Sequence, residues 1–190
     1  MTTDLASLFS RAIGRFGERV AAVPDGAWSE PTPCADWDVR TLVNHVTNEQ
    51  LWAPHLVAGE TIEQVGDRYD GDVLGDDPVV AFRRAAGGAV EAFGGADDLD
   101  ATVHVSYGEI PLREYLTQML TDAEVHGWDL AVATGQDAHI DGDAAELLLE
   151  VWQEQEELVR GSGVFGDAVA VPADASAADR LLGLLGRQPA

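Results

Sequence analysis

Apolar residues recur at three- and four-residue steps along most of the chain, and strict alternation is almost absent. Leu5, Leu8, Phe9, Ala12, Ile13, Phe16 and Val20 form one stripe behind a Thr3/Asp4 cap. This spacing predicts an amphipathic helix over residues 3 to 22, because it places every apolar side chain on one face. Pro24, Pro31 and Pro33 then mark an ordered loop. A second helix follows over residues 38 to 53, capped by Asp36 or Asp38, with Val39, Leu42, Val43 and Val46 buried and Pro54 and Gly59 ending it. A polar stretch from 59 to 77 leads to a third helix over 78 to 93, with Val79, Phe82, Ala86, Val90 and Phe93 inward and Gly94-Gly95 as its stop. Residues 101 to 107 alternate loosely and read as a short extended segment before Pro111 opens a fourth helix. That helix covers 112 to 133, with Leu112, Leu116, Met119, Ala123 and Leu130 inward and Gly135 at its end. A fifth, over 143 to 160, carries Leu148, Val151, Trp152, Leu158 and Val159; residues 169 to 171 read as extended and 177 to 185 as a closing helix.

Long helices joined by loops, with almost no strand signal, imply an all-α fold built by packing helix on helix. A chain of 190 residues supports one core, so a single domain over 1 to 190 is expected. The connections 59 to 77 and 95 to 111 are longer than most helix-helix loops, and such loops often form the rim of a site.

Charge removes several classes of function. Asp and Glu number 34 against 11 basic residues, all arginine, for a net charge of −23. A field of that sign repels phosphate backbones and anionic lipid, so neither nucleic acid nor a membrane surface is an expected partner. No apolar run approaches the roughly 20 residues that span a bilayer, and the N-terminus lacks a basic segment before an apolar one. The single cysteine, Cys34, forms no intramolecular disulfide, which fits a reducing cytoplasm. Nothing here excludes a homodimer.

Asp122 and His126 stand four residues apart, on one side of a helix, and both border its apolar stripe at about 100° and about 60° from its centre. His45 lies about 110° from the centre of its own stripe. Two imidazoles and a carboxylate form a three-ligand set that leaves one coordination position open, as catalytic zinc sites do. On spacing alone such a pair is more often a solvated ion pair, and His45 a rim histidine. His55, His104 and His139 sit in or beside loops and read as surface residues. Asp129, three residues beyond His126, reads either as a carboxylate that orients an imidazole or as a partner for an arginine such as Arg40. Trp52 and Trp128 read as core rather than as pocket walls. Cys34 precedes a helix N-terminus, which favours a thiolate, yet no histidine lies near it in sequence to act as a base, so a packing role is expected.

The segments PTPCADWDVRTLVNHV (31 to 46) and DAEVHGWDLAVATG (122 to 135), with the closing DRLLGLLGRQP, resemble the actinobacterial DinB-like family related to mycothiol-dependent maleylpyruvate isomerase. The resemblance implies an up-down four-helix bundle with a short additional C-terminal helix. It also implies a divalent metal, zinc or another transition metal such as nickel, held by His45, Asp122 and His126. The isomerase resembles this chain at the histidines but carries Glu where Asp122 stands, and DinB relatives carry a third His. The implied activity is that of an enzyme activating a low-molecular-weight thiol, mycothiol, toward a small-molecule substrate. A non-catalytic bundle that binds a metal or small ligand is the alternative.

Overall fold

The computed structural model describes residues 4–155 and 166–189. They hold seven helices and one hairpin: α1 (Leu5–Ala21), α2 (Val39–Val57), α3 (Ile62–Val65), α4 (Pro78–Gly94), β1 (Thr102–Val105), β2 (Gly108–Pro111), α5 (Leu112–Thr134), α6 (Gly142–Glu154) and α7 (Ala177–Leu184). They divide into two compact units, Met1–Ala138 and His139–Ala190.

The first unit is the four-helix bundle. α1 packs on α5 and α4, and α2 packs on α4 and α5. The helices therefore run around the bundle in the order α1, α5, α2, α4, and the sequence neighbours α1 and α2 lie across a diagonal, as do α4 and α5. Both diagonal connections are long, and the second folds into the β1–β2 hairpin, with Val103 opposite Ile110 and Val105 opposite Gly108. Aromatic pairs fill the centre: Phe9 meets Phe93 edge-on at 5.1 Å and Phe16 meets Phe82 at 5.0 Å. Gly127 lets α1 approach α5 closely, because a Cβ there would stand 2.8 Å from the guanidinium of Arg19. That guanidinium is buried and held by the Asp137 carbonyl.

The caps follow the expected chemistry. Asp4 accepts from the N–H of Ala6, Asp38 from Thr41 and Asp77 from Val80, each supplying an acceptor to a helix start that lacks one. Gly135 ends α5 in the left-handed conformation.

Three expectations are corrected. α2 runs through Pro54 to Val57 rather than stopping at 53, because the Pro54 ring seats on α4 at 3.6 Å from where a Gly88 Cβ would stand and Leu56 remains buried. Those contacts outweigh one lost backbone bond. The 59 to 77 stretch contains α3, opened by a Thr61/Gln64 capping box. The buried line of α4 is Phe82, Ala85, Ala89 and Phe93, displaced from the expected one, since small alanines rather than Val79 and Val90 meet the neighbouring helices. The short extended segment expected over 101 to 107 is β1, which pairs with β2 in the hairpin.

In the second unit α6 packs on α7, and the Val169 N–H bonds the Gly183 carbonyl at 2.8 Å without forming a strand. Leu158 and Val159, expected on the fifth helix, lie outside the described residues.

Candidate metal centre

α2 and α5 lie side by side, and His45 on one faces Asp122 and His126 on the other. The His45 Nε2 is 4.0 Å from Asp122 Oδ2, and the two imidazoles meet edge-to-face with centroids 5.3 Å apart. His45 and Asp122 are each about one-third exposed (31% and 32%), whereas His126 is buried and Asp129 wholly so. The cluster therefore opens to solvent at its Asp122 end and is closed at its Asp129 end. His126 Nδ1 donates to Asp129 Oδ2 at 3.0 Å. This bond fixes the tautomer and leaves Nε2 as the lone-pair nitrogen. Arg40, the other partner considered for Asp129, instead binds Asp72 Oδ2 at 2.6 Å and the Gly75 carbonyl.

The loop before α2 supplies the lining of the cluster. Pro31 and Asp38 form an isolated bridge, the Thr32 N–H bonds the Trp37 carbonyl at 3.0 Å, and the Thr32 hydroxyl accepts from the Cys34 N–H at 3.2 Å. Within this pinned turn Asp36 is left-handed (φ 66°), the one non-glycine residue with positive φ among those described. Aspartate tolerates that conformation better than most side chains. The turn lays Trp37 over both histidines, at 4.7 Å from His45 and 5.5 Å from His126. It also brings the Cys34 sulfur, a ring nitrogen of His126 and a carboxylate oxygen of Asp129 within 4.8 Å of one another.

One turn along α2 stands Glu49. Burial first, then the nearby Asp122 carboxylate, raises its pKa to about 7. Burial lowers the His45 pKa, opposed by Asp122 and assisted by His126, so the neutral imidazole is favoured. Tyr115, one helical face with Asp122, is pushed well above its usual pKa by burial and then by Glu49 and Asp122. Its hydroxyl is buried with no hydrogen-bond partner among the described residues, as is the side-chain amide of Gln50.

His45 thus lies against both Asp122 and His126, and Asp129 bonds the His126 ring rather than Arg40. Trp128 is buried, while Trp52 packs on Tyr69. His55 departs from the surface reading: it lies in α2, bonded to Glu60 Oε1 at 2.9 Å and the Tyr69 hydroxyl at 2.7 Å. His104 is on β1, 3.4 Å from Glu109, and His139 is exposed. Sequence reasoning missed Trp37 and Glu49 and set Cys34 aside as packing. Glu49 carried a signal, since it follows His45 by four residues just as His126 follows Asp122. Trp37 and Cys34 carried none, because a turn rather than a helical period brings them to the site.

Residues 9–131 match the family model of the mycothiol maleylpyruvate isomerase N-terminal domain. The chain belongs to that family. The matched residues of this mycothiol maleylpyruvate isomerase N-terminal domain protein include His45, Asp122, His126 and Asp129. Two uncharacterized proteins of Mycobacterium tuberculosis are 33% identical to it over 186 residues, 93% of this chain and 94% of theirs. Among solved structures, mycothiol-dependent maleylpyruvate isomerase matches with a TM-score of 0.70 at 16% identity, covering 97% of this chain and 88% of that one. An alanine mutant of that isomerase matches at 0.65 and 15% identity, covering 90% and 76%. At such identities these two likenesses speak for the fold. Among the described residues no helix is long and apolar enough to cross a membrane.

Proposed function

We propose that this protein holds one divalent transition-metal ion, zinc by preference, on His45, Asp122 and His126, and uses it to activate a low-molecular-weight thiol, mycothiol, for transfer or isomerisation of a small molecule. The observation that carries this reading is the meeting of two imidazoles and a carboxylate from two helices, His45 to Asp122 at 4.0 Å and His45 to His126 at 5.3 Å between rings. The donor chemistry fits such an ion. Two nitrogens favour a transition metal over calcium or magnesium, which prefer oxygen. The burial that keeps His45 neutral keeps its lone pair available. Three protein ligands leave a position for substrate.

When bound, the ion would lower the pKa of a coordinated thiol so that a thiolate exists at neutral pH. The chain's own residues do the rest. Asp129 Oδ2 holds the His126 ring at its Nδ1, and Trp37 covers both imidazoles and keeps water from their faces. The Glu49 carboxyl, with its pKa near 7, is matched to taking up and returning a proton at neutral pH.

The test is metal analysis of protein purified without chelator or nickel resin, followed by thiol consumption with and without mycothiol. Stoichiometric metal and metal-dependent consumption are expected. Metal without turnover would favour the non-catalytic binding role. A His45→Ala/His126→Ala double variant that binds zinc as tightly as the parent would remove the proposal.

A further inference from the structure

The outward ridge of α4 carries charges that the chain itself does not use. Taking about 100° per residue, Val80, Arg83, Arg84, Gly87, Glu91 and Gly94 all lie within about 70° of the direction opposite the buried line of that helix. All six are exposed, Val80 by 58%. Elsewhere in the bundle Arg15, Arg40, Arg68 and Arg113 sit on carboxylates and Arg19 on a carbonyl. The side chains of Arg83, Arg84 and Glu91 make no hydrogen bond or ion pair among the described residues. In a chain of 34 acidic and 11 basic side chains, two adjacent unpaired cations are scarce. On the α1 side the ridge falls into a groove of about 370 Å³, lined by Ser10, Gly14 and Gly17 of α1 and by Ala86, Gly87 and Val90 of α4. A Cβ at Gly14 or Gly87 would meet nothing within 4 Å, so another helix can come close there.

We propose that α4 of a second copy of this chain packs antiparallel on this ridge, crossing it at Gly87, with Arg83 and Arg84 of each copy on Glu91 of the other. The spacing is self-complementary. Under a two-fold axis at Gly87, each residue faces the one as far beyond that glycine as it stands before it, as an isologous interface requires. Arg83 and Glu91 are each four residues from Gly87, and Val80 and Gly94 each seven. Opposite charges therefore meet about 6 Å along the helix on either side of the crossing. The exposed Val80 meets a residue with no side chain, and Gly87 meets Gly87. A parallel pair would instead set arginine on arginine and glutamate on glutamate, so the charges choose the direction. Ala86 and Val90, on the groove side, supply the apolar part of the contact. Both α1 and α4 have 17 residues and are about 25 Å long, so together they offer roughly 500 Å² per copy. The total lies at the low end of specific interfaces. A net charge of −23 on each copy adds a repulsion that salt screens. The dimer is accordingly weak, with a Kd on the order of micromolar, and tighter at about 0.15 M salt than at about 0.01 M. None of this depends on the metal reading, since no proposed ligand lies on α4.

Sedimentation equilibrium of the full chain at about 0.15 M salt is expected to show a reversible monomer–dimer equilibrium. Glu91→Arg makes the ridge wholly basic, and Arg83→Glu/Arg84→Glu makes it wholly acidic. Each variant alone is expected to dimerise at least about tenfold more weakly than the parent, because like charges then face one another. Mixed in equal amounts, the two are expected to associate again, as a heterodimer. Helical circular dichroism of each variant shows that lost association is not lost folding. Gly87→Cys supplies a readout without charge reversal: mild oxidation is expected to join two copies by a disulfide that peptide mass spectrometry places between the two cysteines at this position. A parent chain that stays monomeric up to about 1 mM overturns the proposal. So does a dimer that both charge reversals leave intact, a mixture that associates no better than either variant alone, or a Gly87→Cys dimer that does not cross-link there.

Discussion

His126 and Asp129 are joined by a 3.0 Å hydrogen bond from an imidazole Nδ1 to a carboxylate with no exposed surface. A carboxylate so placed fixes the ring and holds its opposite nitrogen in one direction. Asp129→Asn keeps the shape and loses the charge. Zinc affinity is expected to fall by roughly 10- to 100-fold, the usual effect of removing such a partner. Stability is expected to fall by about 1–3 kcal/mol, the cost of a weakened buried hydrogen bond. Competition against a chromophoric chelator, with urea unfolding of the metal-free protein alongside, separates the two effects.

The ligands themselves should rank. His126→Ala is expected to abolish stoichiometric zinc binding, and Asp122→Asn to weaken it while circular dichroism stays helical. Binding should fade below about pH 6, as protonated imidazoles cease to coordinate. The sign for His45 in the metal-free protein follows from its lowered pKa. The unfolded chain binds that proton first as pH falls below about 6.5, so the stability tied to a neutral His45 is complete above that pH. It is lost between there and the lower folded value. His45→Gln should flatten this part of the stability profile, as read from urea midpoints between pH 5 and 8.

Glu49 has the opposite profile. Its folded pKa is raised to about 7, so the fold favours the protonated carboxyl. Its contribution is fully present below the unfolded pKa of about 4.5 and is lost as pH rises through 7. Glu49→Gln is expected to leave the metal-free protein unchanged at pH 4 and to stabilise it by roughly 1–3 kcal/mol at pH 8. Equal urea midpoints for parent and variant at pH 8 would contradict this.

The clip at His55 is separable from the site. Its ring bonds Glu60 on one side and Tyr69 on the other, holding the stretch after α2 against that helix. Tyr69→Phe removes one of these bonds and should cost about 1 kcal/mol. Faster amide exchange through residues 60 to 73, with zinc affinity unchanged, would show that the clip serves the loop alone.

The bundle was legible because helix periodicity is a local property. Leu8, Phe9, Ile13 and Phe16, or Leu116, Met119 and Ala123, announce their face without reference to any other element, and Asp4, Asp38 and Gly135 announce where helices begin and end. The nearness of His45 to Asp122 and His126 was legible for a related reason: Asp122 and His126 share a helical face, and resemblance added His45. What was not legible depends on meetings between elements. Pro54 looks like a stop until Gly88 of α4 is seen to accept its ring. Cys34 and Trp37 look like loop residues until the Thr32-pinned turn folds over the histidines. His55 looks exposed until Tyr69, fourteen residues on, returns to it.

Gly127 sits immediately after His126, on the side of α5 that meets α1. Its missing side chain sets how deeply α5 lies in the bundle, and therefore how far His126 stands from a partner on a different helix. The spacing between α1 and α5 works as a calibration screw for the cluster: Phe16 and Arg19 of α1, which stand where a Gly127 side chain would be, set it from the far side of the helix. Relatives could retune the grip on an ion without altering any group that binds it.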